Sequence, residues 1–386
     1  MRAAELAAHY SRFRVGERLL LTGHSHQAWP DVALAGQIEA FDDAALAVDE
    51  KWGRAAERAD RVRAAYAGLV GDPGGDIALG VNTHELVVRF LSAVDITARP
   101  RLVTTDGEFH TLRRQLGRLA EEFIQIVRVP ATPVDSLAER LAAEVDDRTA
   151  AVLVSSVLFE TARLVPGLAA VARACERHGS ELLVDAYHAL GVVPFDLDGL
   201  ADAWVVGGGY KYLQLGEGNC FLRLPPHAQD TRPVITGWFA EFDALADERD
   251  PTLVAYGRGA TRFAGSTYDP TSHYRATHVL DFFDTQGLTP SVLREISLHQ
   301  NEVLATAFDA LDLPDAVITR DRSAPREAFG GFLSLRSPRA GEFQRALAGR
   351  GVLTDSRGEY LRFGPAPYLR DDQLAAAIAA LGEVAR

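Results

Sequence analysis

The sequence predicts an α/β protein: a mainly parallel sheet covered by helices, followed by a smaller α+β domain. Three observations predict it. From about residue 55 to 265, short apolar runs alternate with amphipathic helical stretches. Such alternation builds parallel sheets, because parallel neighbours need a crossover that a helix usually supplies. After about residue 270 the pattern changes to long helices and then to short strands. Finally, 47% of the 386 residues are apolar, enough for a sizeable core.

The expected strands of the first region are 77–79, 102–104, 124–127, 151–155, 182–184 and 203–206. Between them the spacing predicts helices over 85–94, 112–123, 134–144 and 169–178. Beyond them it predicts helices over 274–285 and 290–311, strands over 332–335, 352–355 and 360–363, and a last helix over 371–384. This divides the chain into an N-terminal segment (1–36) set against the small domain, a large domain (37–269) and a small one (270–386). Ligands of open parallel sheets bind beyond the carboxyl ends of the strands, so the polar residues just after each strand deserve inspection first.

The net charge is −13, which disfavours nucleic acid or an anionic membrane surface as the main partner. The N-terminus lacks the apolar core of a signal peptide, and no run approaches the length of a membrane span. Cys175 and Cys220 form neither a metal spacing nor a disulfide framework. A reducing cytoplasm is the expected setting.

Only two lysines occur, Lys51 and Lys211; every other basic residue is arginine. Arginine replaces lysine freely where charge alone matters. It cannot do so where a neutral amine must attack a carbonyl. Lys51 reads as part of an exposed helix. Lys211 follows an apolar strand, in Gly-Gly-Gly-Tyr-Lys-Tyr-Leu, 26 residues after Asp185. Asp185 itself ends a strand, with His188 three residues on. Pyridoxal 5′-phosphate (PLP) chemistry needs these parts: an amine to form a Schiff base, and a carboxylate to keep the pyridine nitrogen protonated. A solvated lysine and a turn-capping aspartate are the plainer readings of each residue alone.

Segment 181–220 resembles the class V aminotransferase group of fold-type I PLP enzymes, and within it kynureninase. Kynureninases show Asp-x-x-His, a strand, Tyr-Lys-Tyr-Leu and then glycines. This chain has Asp185, His188, Tyr210-Lys211-Tyr212-Leu213 and Gly216-Glu217-Gly218. The resemblance implies a PLP-dependent transferase fold with a seven-stranded type of sheet, and a homodimer with shared active sites acting on an amino acid.

It also implies roles elsewhere. Gly23-His24-Ser25 is similar to the family's Gly-Asn-Ser, with His24 in place of Asn; His24 and Ser25 would then touch substrate. Asn82, Thr83 and His84 would meet the cofactor phosphate at a helix start, although Asn82 with Glu85 also reads as a capping box. Either Phe109 or His110 would stack on the cofactor ring. Trp238 would line the site and meet the cofactor, and Ser266 and Thr267 would meet it too, in a segment that crosses the dimer interface towards the neighbouring copy's cofactor. Kynureninases carry Ser-Asn there, where this chain has Gly265-Ser266-Thr267. Arg362 would clamp the substrate carboxylate with its bidentate fork. Lys211, Asp185 and Tyr210 would be the catalytic residues, with Tyr210 an acid–base or phosphate partner.

The implied reaction is hydrolysis of the Cβ–Cγ bond of kynurenine or a relative, to alanine and an aromatic acid. Transamination, epimerisation or elimination on another amino acid is the alternative. Desulfurases of this fold need a late nucleophilic cysteine, and none follows Cys220. A metal site built from His84, His110 and His188 has no supporting spacing, and no metal is expected. Gly207-Gly208-Gly209 opens no dinucleotide fingerprint.

Overall fold

The computed structural model describes residues 3–245 and 252–386. Residues 1–2 and 246–251, which fall in the expected N-terminal segment and large domain, lie outside the described residues. After a short strand β1 (Leu19–Leu20), seven strands form one sheet. They are β2 (Ile77–Gly80), β3 (Arg101–Thr105), β4 (Gln125–Val129), β5 (Thr149–Ser155), β6 (Glu181–Asp185), β7 (Trp204–Gly208) and β8 (Cys220–Arg223). Their spatial order is β2-β8-β7-β6-β5-β3-β4. β4, β3, β5, β6 and β7 pair in parallel. β8 runs antiparallel to both its neighbours, β7 and β2.

Strand alternation divides the sheet's side chains between two apolar layers. Ala151 and Leu153 of β5 pack in one cluster with Leu86, Val87 and Phe90 of the helix Thr83–Ala93. Val152 and Val154 pack in the other with Leu141 and Val171, from the helices Leu137–Ala143 and Leu168–His178. Both faces are thus covered, as the continuous apolar runs required.

The second sheet has four strands, in the order β12-β13-β10-β9, all antiparallel. They are β9 (Thr319–Arg320), β10 (Leu333–Arg336), β12 (Asp355–Arg357) and β13 (Tyr360–Phe363). The helices Pro290–Asp309 and Asp371–Ala385 pack on one another beside it. One expected strand proves to be two. Residues 352–355 divide at Thr354 into β11 (Val352–Leu353), which pairs in parallel with β1, and the start of β12. Two partners in different sheets pull the backbone apart there, which no periodicity records. β8 was not expected either; it is only four residues long and follows a glycine-rich turn.

The N-terminal segment is bound to the rest through specific contacts. Tyr10 donates to Gln214 at 2.6 Å, and the Gln373 amide donates to the carbonyls of Val15 and Arg18.

Candidate active site

Five strand ends converge. β2 leads to Asn82 and Thr83, β3 to Glu108 and Phe109, β5 ends at Ser155, β6 at Asp185, and β7 leads to Lys211. Parallel strands point their carboxyl ends the same way, so these side chains gather at one edge of the sheet.

Lys211 is buried, and its Nζ lies 2.7 Å from His188 Nε2. The same nitrogen stands 4.6 Å from the ring centre of Tyr187 and 5.6 Å from that of Phe109. Burial pulls the amine down from the usual lysine range to about 7; Asp185 opposes that fall and Arg362 adds to it. His188 is driven well below its ordinary value, by burial first and then by Lys211 and Arg362. A neutral imidazole therefore accepts at Nε2 from the lysine, while buried Nδ1 has no partner among the described residues. Burial likewise pushes the Asp185 carboxyl up, against the pull of the Tyr187 N–H and of Lys211. Asp185 Oδ1 accepts from the Tyr187 N–H at 2.8 Å, which fixes the carboxylate at the start of the turn.

Tyr187 can sit under the lysine only because Gly208 has no side chain. A Cβ there would fall 2.3 Å from the Tyr187 hydroxyl and 2.7 Å from Cys220 Sγ. Tyr210 packs on Tyr187 at 5.0 Å and stacks on His26 at 4.8 Å; burial raises its phenol. Ser25 Oγ lies 3.1 Å from His26 Nδ1.

Glu108 is the least expected member. It is 2% exposed and tied to two strand ends. Its Oε1 accepts from Thr105 Oγ1 at 2.8 Å and from the Ser155 N–H at 3.1 Å, and its Oε2 from Ser155 Oγ at 2.5 Å. Burial nevertheless raises its carboxyl to about 7. This brace holds the turn that aims Phe109 at Lys211. His110, the rival for stacking, is exposed, begins the helix His110–Ala120 and lies 3.5 Å from Arg113.

Asn82 Oδ1 caps the helix Thr83–Ala93, accepting from the Glu85 N–H at 2.8 Å. The capping box is only half built, because Glu85 turns to Arg89 at 2.7 Å. Thr83 Oγ1 lies 3.7 Å from Cys220 Sγ, and His84 is exposed. The three histidines 84, 110 and 188 share no site, and among the described residues no group of His, Cys, Asp or Glu is arranged to hold a metal ion. Cys175 and Cys220 are both free and buried.

Arg362 approaches from β13 and is buried. It donates to the Phe159 carbonyl and to Asp355 Oδ2, each at 2.5 Å. His24 shares the Asp355 carboxylate with it. Its ring is fully buried, 4.7 Å from that of Phe332, and Nε2 is 3.7 Å from Asp355 Oδ2. Burial lowers His24 to about 3 despite that carboxylate, so it is neutral. Gly364 makes room for it: a Cβ there would fall 2.2 Å from His24 Nδ1. His24, expected to touch substrate, thus has its ring packed beside Asp355 and Phe332. Trp238 is half-exposed and packed on Phe239 and Phe242; Ser266 and Thr267, also exposed, follow Gly265, whose carbonyl accepts from the Phe239 N–H.

Tyr187, Glu108 and Asp355 were not singled out from sequence. Only the position of Glu108 beside Phe109, and of Asp355 near Arg362, signalled them.

A buried amine between aromatic rings, a carboxylate on the adjacent strand end and an open helix start define the fold-type I class of PLP-dependent enzymes. The solved structures agree in fold. The cystine C–S lyase C-DES superposes with a TM-score of 0.82 at 18% identity, over 97% of this chain and 99% of that one. An apo cysteine desulfurase from Thermococcus onnurineus gives 0.77 at 15%, over 96% and 95%. No family model matches the chain. By sequence it is 27% identical to kynureninase of Deinococcus radiodurans over 346 residues, 86% of this chain and 81% of that protein. It is 27% identical to kynureninase of Pseudomonas fluorescens, over 95% and 89%. An uncharacterised aminotransferase of Bacillus subtilis is 23% identical, over 88% of each. The chain thus has the fold of fold-type I PLP-dependent enzymes, is a PLP-dependent enzyme, and is similar in sequence to kynureninases and to a class V aminotransferase.

Proposed function

We propose that the protein hydrolyses the Cβ–Cγ bond of kynurenine or a related amino acid, releasing alanine and an aromatic acid. The observation that carries the reading is the Lys211 amine, buried, near neutral and set beside Asp185. Its support by sequence is the likeness to kynureninases at 27% identity.

The residues present fit PLP. Lys211 would hold it through its amine, Asp185 would pair with its ring nitrogen, and Phe109 would stack on it. Asn82, Thr83 and His84, with the first N–H groups of their helix, take the phosphate. His188 orients the Lys211 amine through Nε2, and its unpartnered Nδ1 leaves one more polar contact to give. When bound, the cofactor supplies an electron sink for the carbanion left after loss of the α-proton. Lys211 takes and returns that proton at Nζ. Arg362 fixes the substrate carboxylate, and Tyr210 exchanges a proton on the pocket side facing His26.

Trp238, Ser266 and Thr267 complete a neighbouring copy's site in a homodimer. The exposed apolar side chains around them, Val234, Ile235, Phe242, Leu253 and Val254, favour a covered surface there.

The test is to incubate the PLP-loaded enzyme with kynurenine and 3-hydroxykynurenine and to measure alanine. Stoichiometric alanine and aromatic acid are expected. If neither forms, yet an amino donor and a keto acid give transamination, the aminotransferase reading replaces this one. Gly265-Ser266-Thr267, where kynureninases carry an asparagine, is the observation that keeps that reading in play.

A further inference from the structure

The Arg362 guanidinium is not free to receive a substrate. Nη1 is spent on the Phe159 carbonyl, and Nη2 meets Asp355 Oδ2 at 2.5 Å. Nε is buried and has no hydrogen-bond partner among the described residues. A bidentate carboxylate needs two adjacent donors of the fork. The edge that has a vacant donor is Nε with Nη2, and Asp355 blocks half of it.

Asp355 has somewhere to go. Its second oxygen, Oδ1, already accepts from Arg357 Nη1 at 2.7 Å. Arg357 is far more exposed than Arg362, so it is the less demanding of the two to leave or to join. The remaining group close by is the neutral His24 ring, at 3.7 Å. A simple cross-strand ion pair, closing the β12–β13 hairpin in which Asp355 faces Arg362, would account for the contact but not for the unpartnered Nε.

We propose that Asp355 is the internal counter-ion of the carboxylate site: it occupies Arg362 while the site is free, and an incoming α-carboxylate displaces it onto Arg357. Asp355 is then a positioning residue that sets affinity by competition. The reading rests on Arg362 as the receptor of the substrate carboxylate. It makes two opposite demands on neighbouring charges. Removing the competitor leaves a buried arginine short of a partner and should strengthen binding of a carboxylate. Removing Arg357 takes away the place to which Asp355 withdraws and should weaken it.

The experiment uses the PLP-loaded protein with L-alanine as probe, its dissociation constant read by equilibrium dialysis and by change in the visible absorbance. Asp355→Asn, which keeps the shape and one acceptor, should bind L-alanine about 10-fold more tightly, the ordinary size of such a coupling. Arg357→Gln should bind it several-fold more weakly. Unchanged or weaker binding in Asp355→Asn overturns the proposal, because a merely structural pair has that effect. Should that variant not fold, Arg357→Gln decides alone, and unchanged or tighter binding there overturns it. Arg362→Ala separates the two readings: if it binds L-alanine normally, the carboxylate assignment of Arg362 has failed, whatever Asp355 does.

Discussion

Lys211 Nζ and His188 Nε2 lie 2.7 Å apart, and both side chains are buried. Burial disfavours the charged form of each, so the pair settles as a near-neutral amine donating to a neutral imidazole. An amine in that state is a nucleophile at physiological pH, which a solvated lysine is not.

The rate at which cofactor-free protein takes up PLP should follow the neutral fraction of Lys211. It should rise with pH through about 7 and then level off. An ordinary lysine would keep gaining up to its usual value of 10.5. Growth of the visible chromophore between pH 5.5 and 9.5 measures this. Borohydride should fix the label to the peptide containing Lys211, and Lys211→Ala should remain colourless.

Asp185 is the next test. Its carboxylate is held by the Tyr187 N–H at 2.8 Å and sits one strand from the lysine. Asp185→Asn keeps the shape and the acceptor but not the charge. The variant should still take up PLP and lose about 100-fold or more in kcat, the ordinary cost of removing one fixed stabilising group from a site. Near-normal turnover would remove Asp185 from the role of ring-nitrogen partner.

For Arg362, replacement by alanine should weaken amino-acid binding by about 2–5 kcal/mol, the scale of truncating one partner of a buried charge pair. PLP content, read from absorbance, should not change, since the arginine belongs to the small sheet and not to the strand ends that meet the cofactor. Loss of cofactor together with substrate binding would count against the division of labour.

How much of this could be read from the chain follows from the range of each interaction. Asp185, His188 and Lys211 lie within 27 consecutive residues on successive strand ends, and with lysine so scarce that order suggested a shared site. The mainly parallel character of the sheet was equally legible, because strands alternating with helices need crossover connections. Glu108 was not, since its meaning depends on Ser155, 47 residues away and brought beside it only by the pairing of β3 with β5. Asp355 looked like the end of a strand. Its role emerges only when β12 and β13 pair and set it opposite Arg362. His24 matched a substrate-contacting position by resemblance, yet its ring is buried against Phe332 and beside Asp355, a packing decision no local pattern encodes.

Glu108 gives the sharpest test of the brace beneath Phe109. Its folded carboxyl value, about 7, lies above the ordinary 4.5, chiefly because burial disfavours the charge. The folded chain therefore holds this proton more firmly than the unfolded chain does. Stability contributed by the protonated group is fully present below about 4.5 and is lost as the pH rises through about 7. Glu108→Gln keeps the size, and keeps an acceptor for Thr105 Oγ1 and the Ser155 N–H, but carries no charge to bury. Relative to the parent, the variant should gain stability at pH 8 compared with pH 5, on the order of 2 kcal/mol. Thermal melts of cofactor-free protein at fixed ionic strength measure the difference. Glu108→Ala should instead lose about 1–3 kcal/mol at both pH values, because three donors at Thr105 and Ser155 lose their acceptor. A Gln variant that gains nothing between pH 5 and pH 8 would mean that the three hydrogen bonds fully compensate the burial, and that the Glu108 carboxylate is ionised throughout.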